Sequence, residues 1–302
     1  MLPNGTKKAE RRPGVTNWSI EDKVVLVTGG NSGIGMATAE ELARRGARVT
    51  ITARDEDKGR EAADRIRIAT GAEVAAGNLD LSRLSSVRSF AGGFVGEHQH
   101  LDVLINNAGV MAANRRETSD GFEWTFAVNY LGPFLLTNLL MDRLVASAPS
   151  RIITVSSENY RSAKKGLDLD DLQMENGFSP SKAYAASKLA NILFTVELDR
   201  RFGSAGVTAR ALHPGVVATS FGKGPDSPRM MGLLMTGLKP FLRKPARGAA
   251  TSVYLATAES SSINSGIYWS NETPKEPLTM AVDEDAAAQL WSASERMVGL
   301  SA

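Results

Sequence analysis

A tyrosine and a lysine four residues apart are the side chains of this sequence best suited to acid–base chemistry. Tyr184 and Lys188 lie in a stretch, residues 180–202, whose composition predicts a helix, and residues with this spacing share one helix face. A phenol exchanges a proton at a carbonyl oxygen when its pKa falls from about 10 toward 7, a change worth roughly 4 kcal/mol. Nearby positive charge favours the phenolate. The pair therefore predicts proton transfer at an alcohol or carbonyl oxygen.

A second pair, Tyr160 and Lys164, has the same spacing. It lies in a stretch rich in Arg, Lys and Ser that lacks an apolar stripe at helical spacing. The helix of Tyr184 has such a stripe, and a rigid helix is the better support for a tuned pair. We therefore assign the chemistry to Tyr184 and expect Tyr160 to be a loop or pocket-rim residue.

Two hydroxyl side chains end the predicted fifth strand, residues 151–157. Ser156 and Ser157 stand at its carboxyl end, which is the edge where open parallel sheets bind ligands. A hydroxyl at this edge can hold a carbonyl oxygen, and a purely structural role is the alternative for Ser156. The chain has no Gly-x-Ser-x-Gly turn, so an acylating serine is not supported.

A glycine-rich turn with Gly29, Gly33 and Gly35 follows the first predicted strand, Val24–Val27, and opens the first predicted helix. Glycine permits positive φ and lets the main chain approach a ligand closely, and a helix N-terminus offers N–H groups to a pyrophosphate. The turn therefore predicts a dinucleotide site, with a merely tight strand–helix turn as the alternative. The residues assigned to this site are Gly29, Asn31, Ser32, Gly33, Ile34 and Gly35.

Asn129 lies four residues before Pro133 in a predicted helix, residues 119–146. Proline has no N–H, so the main-chain carbonyl of Asn129 lacks its usual helical donor. That carbonyl is then free to hold a water molecule. The alternative is a helix kinked at Gly132 and Pro133 with a solvated carbonyl.

Predicted strands and helices alternate along the chain, which favours a parallel sheet with right-handed crossovers. We expect a single α/β domain over residues 21–300, a Rossmann-type doubly wound parallel sheet of about seven strands with helices on both faces. Residues 1–20 are polar and basic and predict a tail.

The composition argues against several classes of protein and of functional site. Hydrophobic residues make up 42%, and 35 Lys and Arg against 33 Asp and Glu leave a net charge of +2. This near-balance argues against a dedicated nucleic-acid binder. The absence of cysteine excludes disulfides, thiolate nucleophiles and thiolate metal sites. We expect no metal site, no spanning helix and no secretory signal, because apolar runs are too short and the histidines lack partners.

These motifs, in this order, resemble those of the short-chain dehydrogenase/reductase family. They are the glycine turn with its Gly-x₃-Gly-x-Gly spacing, NNAG at 106–109, the asparagine at 129, YAASK at 184–188 and HPGVV at 213–217. The flanking residues are most similar to the retinol-dehydrogenase-like branch. The resemblance implies hydride transfer with a nicotinamide dinucleotide, between an alcohol and an aldehyde or ketone.

The resemblance also assigns roles to individual residues. It implies that Tyr184 exchanges the proton, that Lys188 lowers its pKa and holds the nicotinamide ribose, and that Ser157 orients the carbonyl oxygen. Asn129 would hold a relay water. Further cofactor contacts implied by the family are Asp80, Leu81, Asn107, Ala108, Gly109, Pro214, Gly215, Val217 and Thr219.

The end of the second predicted strand bears on the choice between NAD and NADP. Arg54 stands there, and a guanidinium forms bidentate bonds with a phosphate, so we expect NADP(H); a solvated loop cation is the alternative. We expect Asp55 to cap the next helix. Asp80 either accepts from the adenine amino group, as in the family, or caps the helix that follows.

The substrate and the partners are less closely defined. Residues 221–244 are rich in Met and Leu and correspond to the family's substrate lid, so we expect an apolar small-molecule alcohol or carbonyl substrate; a packed helix pair or a basic membrane-touching patch are the alternatives. Family relatives suggest a homodimer or homotetramer, and we expect a cytoplasmic protein. Other functions on this fold are a non-catalytic dinucleotide sensor or scaffold and a light-dependent C=C reductase.

Overall fold

A computed structural model describes residues 18–217 and 244–300. Its sheet has eight strands in the order β3-β2-β1-β4-β5-β6-β7-β8; the first seven are parallel, and β8 pairs antiparallel with β7. The predicted α/β doubly wound parallel sheet is confirmed. The strands are β1 Val24–Val27, β2 Arg48–Ala53, β3 Val74–Asn78, β4 Val103–Asn106, β5 Ser150–Val155, β6 Val207–His213, β7 Tyr268–Ser270 and β8 Thr273–Lys275.

The strand β8 is the one strand beyond the predicted seven. It is exposed along its whole length and contains Pro274, so it carries neither the apolar run nor the alternation that marks a strand in a sequence. Asn271 and Glu272, both with positive φ, form the tight turn that returns the chain from β7. Positive φ at both central residues is the geometry of a two-residue hairpin turn.

The helices cover both faces of the sheet. They are α1 Gly33–Arg44, α2 Glu56–Thr70, α3 Leu84–Glu97, α4 Trp124–Phe126, α5 Gly132–Ala146, α6 Pro180–Phe202, α7 Pro245–Thr257, α8 Ser260–Ile263 and α9 Glu284–Val298. Within the described ranges, none of them has the combination of length and apolarity that a bilayer crossing needs.

The sheet separates two apolar cores because side chains alternate along each strand. In β1, Val24 and Leu26 belong to the core beneath α3, α5, α6 and α9, whereas Val25 and Val27 belong to the core beneath α1, α2 and α7. All four residues are buried. A strand buried on both faces reads as an unbroken apolar run, which is how β1 was predicted.

The boundary between tail and domain lies earlier than residue 21. Trp18 and Ile20, which the sequence placed in the polar tail, are buried. The indole Nε1 of Trp18 donates to the carbonyl of Ala256 at 2.8 Å, and the Arg151 guanidinium lies 3.8 Å from the Trp18 ring centroid. Two apolar side chains within a basic stretch were too few to reveal this packing. The rest of the predicted tail lies outside the described residues.

The predicted helix 119–146 begins later than expected and is interrupted. Its first turn starts at Trp124, because the buried Glu123 carboxylate accepts from the N–H groups of Thr125 and Phe126 at 2.9 and 2.7 Å. A π-helical turn, Ala127–Leu131, follows, and the N–H of Gly132 donates to Ala127 five residues back. Such bulges are frequent at functional sites, and this one contains Asn129.

Phe134 on α5 is the centre of an aromatic cluster in the larger core. It is fully buried, with its ring centroid 5.0 Å from that of Trp291 and 5.4 Å from that of Phe194. Phe134→Ala is expected to lower the free energy of unfolding by about 3–5 kcal/mol, because it leaves a cavity that helices α6 and α9 cannot fill. Ile68→Ala, at a side chain that is 86% exposed, is expected to change it by less than about 0.5 kcal/mol. Urea unfolding of both variants checks this, and equal losses would contradict it.

Candidate active site

A cavity of about 280 Å³ opens at the carboxyl edge of the sheet. The loops after β4, β5 and β6, the first turn of α1 and the second and third turns of α6 surround it, as expected for the ligand edge of an open α/β sheet. The lining residues are Ile34, Asn107, Gly109, Met111, Val155, Ser156, Ser157, Asn159, Tyr184, Lys188, His213, Pro214, Gly215, Val216 and Val217.

The glycine turn fits a closely approaching dinucleotide. Gly29 and Gly33 have φ of 64° and 56°, which disfavours any side chain there. A Cβ on Gly35 would lie 2.4 Å from both the side-chain Nδ2 of Asn107 and the carbonyl oxygen of Gly29. Asn31 and Ser32 complete the turn, and α1 begins at Gly33. The free N–H groups of its first turn thus adjoin the cavity, where a pyrophosphate would bind.

The ends of β1 and β4 are joined by hydrogen bonds through one threonine. The Thr28 hydroxyl accepts from the N–H groups of Asn107 and Ala108 at 3.0 and 3.1 Å. The Asn107 amide in turn donates to the Thr28 carbonyl at 2.8 Å. These bonds bring the Asn107–Gly109 segment against the glycine turn. Sequence reasoning did not single out Thr28, because its position at a strand end has no motif of its own.

Tyr184, Lys188 and Ser157 meet in the cavity. The Lys188 Nζ lies 5.6 Å from the Tyr184 ring centroid, and the Ser157 hydroxyl forms a hydrogen bond with the Tyr184 phenol. Lys188 is held at both ends: its Nζ donates to the Val155 carbonyl at 3.0 Å, and its own carbonyl accepts from the Ser156 hydroxyl at 2.7 Å. Ser156 therefore ties α6 to β5, the structural role foreseen for it, and Ser157 faces the phenol.

Burial changes the pKa of the tyrosine and of the lysine in opposite directions. It raises the pKa of Tyr184 to about 12, against the lowering effect of the Ser157 hydrogen bond. It lowers the pKa of Lys188 to about 8. Both shifts disfavour the charged form, as expected in a dry site. Burial therefore outweighs the Ser157 hydrogen bond at the phenol, and positive charge brought into the cavity would lower the pKa of Tyr184.

The Asn129 side chain forms hydrogen bonds to two other parts of the chain. The side chain is buried; its Oδ1 accepts from the Val110 N–H at 2.7 Å, and its Nδ2 donates to the Val110 carbonyl at 3.0 Å and to the Ser187 hydroxyl at 2.9 Å. The bonds to Val110 and Ser187 link the π-helical turn to the loop after β4 and to α6. The sequence foresaw a role for its main-chain carbonyl but not this clamp.

The second tyrosine–lysine pair does not form a site. Tyr160 is fully buried, its hydroxyl accepts from the Leu278 N–H at 3.1 Å, and its ring packs edge-on against Tyr268. Lys164 is exposed. The expectation that Tyr160 is a loop or rim residue was wrong, because a short 3₁₀ helix, Glu158–Ser162, turns its side chain into the core.

The residues predicted to decide between NAD and NADP binding lie beyond the carboxyl end of β2. Arg54 is exposed, and its carbonyl accepts from the Asn78 side chain at 3.1 Å. Asp55 caps α2, as predicted, by accepting from the Lys58 N–H at 3.1 Å. Asp80 accepts through Oδ1 from the N–H and the hydroxyl of Ser82 at 3.0 and 2.6 Å. That oxygen shapes the turn after β3.

The remaining predicted contacts divide between described and undescribed parts of the chain. Leu81 is buried against α5, where a Cβ on Gly132 would meet its carbonyl at 2.4 Å. Pro214, Gly215 and Val217 line the cavity. Thr219 and residues 221–243 of the predicted lid lie outside the described residues. The cavity is also lined by Met111, Asn159 and Val216, to which the sequence analysis assigned no role.

His213 forms a structural contact. Its Nδ1 accepts from the Glu158 N–H at 3.2 Å. Among the residues described, no group of three His, Asp or Glu side chains could hold a metal ion.

Comparison with known proteins identifies the family. A family model described as short chain dehydrogenase matches residues 23–168. Human retinol dehydrogenase 14 is 44% identical over 92% of this chain and 87% of its own length, and human retinol dehydrogenase 13 is 45% identical over 94% and 87%. The chain belongs to the short-chain dehydrogenase/reductase family. Its similarity to these two members places it in the retinol-dehydrogenase-like branch of that family.

Solved structures of other proteins share the fold. An uncharacterised protein from Mycobacterium paratuberculosis superimposes with a TM-score of 0.71 at 36% identity, covering 94% of this chain and 98% of its own. A short-chain dehydrogenase from Burkholderia cenocepacia, crystallised with NADP, superimposes with a TM-score of 0.64 at 27% identity, covering 81% and 94%. The fold of this family binds a nicotinamide dinucleotide, which agrees with the geometry of the glycine turn.

The buried ammonium of Lys188 should make folding stability depend on pH. Its pKa is about 8 in the folded protein and about 10.5 ordinarily, so the unfolded chain binds more protons between these values. The contribution of Lys188 to stability should therefore rise with pH across this window, by up to about 1.4 kcal/mol per pH unit. The difference in free energy of unfolding between the wild type and Lys188→Met, followed from pH 7 to 10, measures it. A difference in free energy of unfolding that does not change with pH would contradict the lowered pKa of Lys188.

Proposed function

We propose that this chain is an NADP(H)-dependent oxidoreductase that interconverts an alcohol and the matching aldehyde or ketone. The observation that carries this proposal is the meeting of Ser157, Tyr184 and Lys188 in one cavity beside the glycine turn. Membership of the short-chain dehydrogenase/reductase family, in the branch of the retinol dehydrogenases, supports oxidoreduction at a CH–OH group.

The roles of the three residues follow from their chemistry. The Ser157 and Tyr184 hydroxyls can both donate to a carbonyl oxygen in the cavity, and Tyr184 is the group that gives or takes the proton at that oxygen. Bound NADP(H) would supply or accept the hydride. Lys188 would hold its ribose hydroxyls, since an ammonium has three donors and the structure shows one of them at Val155.

The proton at Tyr184 needs a route to and from solvent. We assign the start of this route to Lys188 and a water held by the main-chain carbonyl of Asn129, which Pro133 leaves without a helical donor four residues on. The Asn129 side chain supports the arrangement, because its hydrogen bonds to Val110 and Ser187 fix the turn to the loop after β4 and to α6.

The substrate class follows from the cavity wall. Met111, Val155, Val216 and Val217 give the cavity an apolar surface around the polar cluster, and such a surface favours an apolar substrate with one reacting oxygen. The names of the relatives, retinol dehydrogenases, point to the same class. We infer a small, mainly apolar alcohol or carbonyl compound.

Tyr184→Phe is expected to lower kcat by at least about a hundredfold while the affinity for NADPH stays unchanged, because the variant loses only the proton-exchanging oxygen. NADPH oxidation with a panel of apolar aldehydes, including retinal, measures turnover, and calorimetry measures cofactor binding. Tyr254→Phe, on α7 and outside the cavity lining, is the matched control and should keep wild-type turnover. Wild-type turnover in Tyr184→Phe would contradict the proposed proton exchange by Tyr184.

Arg54→Ala is expected to reduce the preference for NADPH over NADH by about tenfold or more, because a charge-assisted bond to the 2′-phosphate is worth roughly 1.5–3 kcal/mol. The ratio of kcat/KM for the two cofactors measures the preference. Arg60→Ala is the control, since Arg60 is exposed on α2 and paired with Glu56 and Asp57. An unchanged ratio in Arg54→Ala would exclude Arg54 from the cofactor site.

A further inference from the structure

A side chain joins the segment directly after Ser157 to the end of β6. The parallel ladder between β5 and β6 ends where the N–H of Ser156 donates to the Leu212 carbonyl at 2.7 Å. Beyond that point, the N–H of Glu158 donates to the imidazole Nδ1 of His213 at 3.2 Å. The His213 ring therefore continues the link between the two strand ends after their main-chain pairing has stopped.

The bond to His213 completes the first turn of the 3₁₀ helix. The first N–H groups of a helix have no partner within it. Here the Asn159 N–H donates to the Ser157 hydroxyl at 3.2 Å, and the Tyr160 N–H donates to the Ser157 carbonyl at 3.0 Å. The Glu158 N–H has the His213 ring as its acceptor. The three N–H groups that follow Ser157 are thus satisfied, two by Ser157 itself and one by His213.

The Ser157 hydroxyl serves two partners at once. Its oxygen accepts from the Asn159 N–H, and the hydroxyl also forms a hydrogen bond with the Tyr184 phenol. A serine side chain has three staggered rotamers, and the bond from the main chain helps to select the one that faces Tyr184. A shift of the main chain at Glu158 or Asn159 would therefore move the hydroxyl that faces the phenol.

The other contacts of Glu158 hold its side chain and not its main chain. The Glu158 carboxylate accepts from the Tyr268 hydroxyl at 3.1 Å and from the Nε of Arg161 at 2.6 Å. A carboxylate is separated from the main chain by rotatable bonds, so these contacts restrain the main chain beside Ser157 less directly. The bond to His213 acts on the main-chain N–H of the residue next to Ser157.

We propose that His213 is a positioning residue that fixes the Ser157 hydroxyl by holding the Glu158 N–H. The inference rests on the proposed function. A ring nitrogen that accepts a hydrogen bond carries no proton, so the neutral imidazole with its proton on Nε2 performs this role. Residues 214–217, which directly follow His213, line the cavity on the side of the proposed cofactor. The contact thus joins the cofactor loop to the serine that orients the substrate oxygen.

The test moves or removes the acceptor at position 213. The amide oxygen of asparagine is bonded to Cγ, as Nδ1 is in histidine, whereas that of glutamine lies one bond further away, and leucine has no acceptor. His213→Leu and His213→Gln are expected to lower kcat about tenfold, because small displacements at a reacting centre are costly. His213→Asn should retain most of the wild-type kcat. Calorimetry should give an unchanged affinity for NADPH in all three. His100→Leu, at an exposed histidine outside the cavity lining, is the control and should keep wild-type turnover.

A double-mutant cycle measures whether His213 acts through Ser157. Ser157→Ala removes the hydroxyl, so adding His213→Leu to Ser157→Ala should lower kcat further by less than about twofold. Two losses that multiply would mean that His213 acts on another part of the site, and the inference would be overturned. A loss of NADPH affinity equal to the loss of kcat would overturn it as well, since His213 would then act on the cofactor loop alone.

Crystal structures of the variants test the geometry without turnover. The wild type and His213→Asn should keep the hydrogen bond between Ser157 and Tyr184, and His213→Gln should lose it. A His213→Gln structure that keeps this bond overturns the positioning role and leaves the proposed reaction standing. A wild type without turnover on any carbonyl compound overturns the proposed function, whereas the structures still decide whether His213 fixes Ser157. Should His213→Leu fail to fold, the comparison of His213→Gln with His213→Asn decides.

Discussion

The site depends on one buried ammonium. Lys188 is 3% exposed and carries a single positive charge in a cavity where the structure gives it a carbonyl, not a carboxylate, as its partner. Burial of such a group disfavours its charge, and its lowered pKa records that cost. Two hydrogen bonds at the end of β5 offset part of this cost. The Lys188 ammonium donates to the Val155 carbonyl, and the Lys188 carbonyl accepts from the Ser156 hydroxyl. Those two bonds also set the distance between β5 and α6, and hence between Ser157 and Tyr184.

The second constraint is a set of hydrogen bonds made by the side chains of Asn129 and Thr28, which link the elements around Tyr184 to the glycine turn. The Asn129 side chain joins the π-helical turn to Val110 and to Ser187 on α6. Thr28 joins β1 to Asn107 and Ala108. The glycine turn and the Tyr184 phenol therefore lie on elements that are hydrogen-bonded to one another, and a site built this way keeps its distances when single loops move.

The sheet and the candidate site residues could be predicted from the sequence because each is marked by a pattern of residues close together in the chain. An unbroken apolar run identifies β1, a four-residue spacing identifies the Tyr184 pair, and a short acidic residue before a helix identifies the Asp55 cap. What the sequence could not reveal depends on contacts between distant segments. The burial of Trp18 against α7, the packing of Tyr160 against Tyr268 and the approach of Arg54 to the Trp124 ring all join residues far apart in the chain. No spacing rule encodes such pairs.

The chain uses positive charge differently at the two ends of the proposed cofactor site. Near the phenol it places a lysine, whose pKa responds strongly to burial, and that pKa falls to about 8. Beyond β2 it places Arg54, whose planar guanidinium has the geometry for bidentate bonds to a phosphate. The two choices match two tasks. Proton exchange needs a group whose pKa the site can shift, whereas a phosphate is best held by the fixed fork of a guanidinium, so the proposed site separates these two tasks between its two ends.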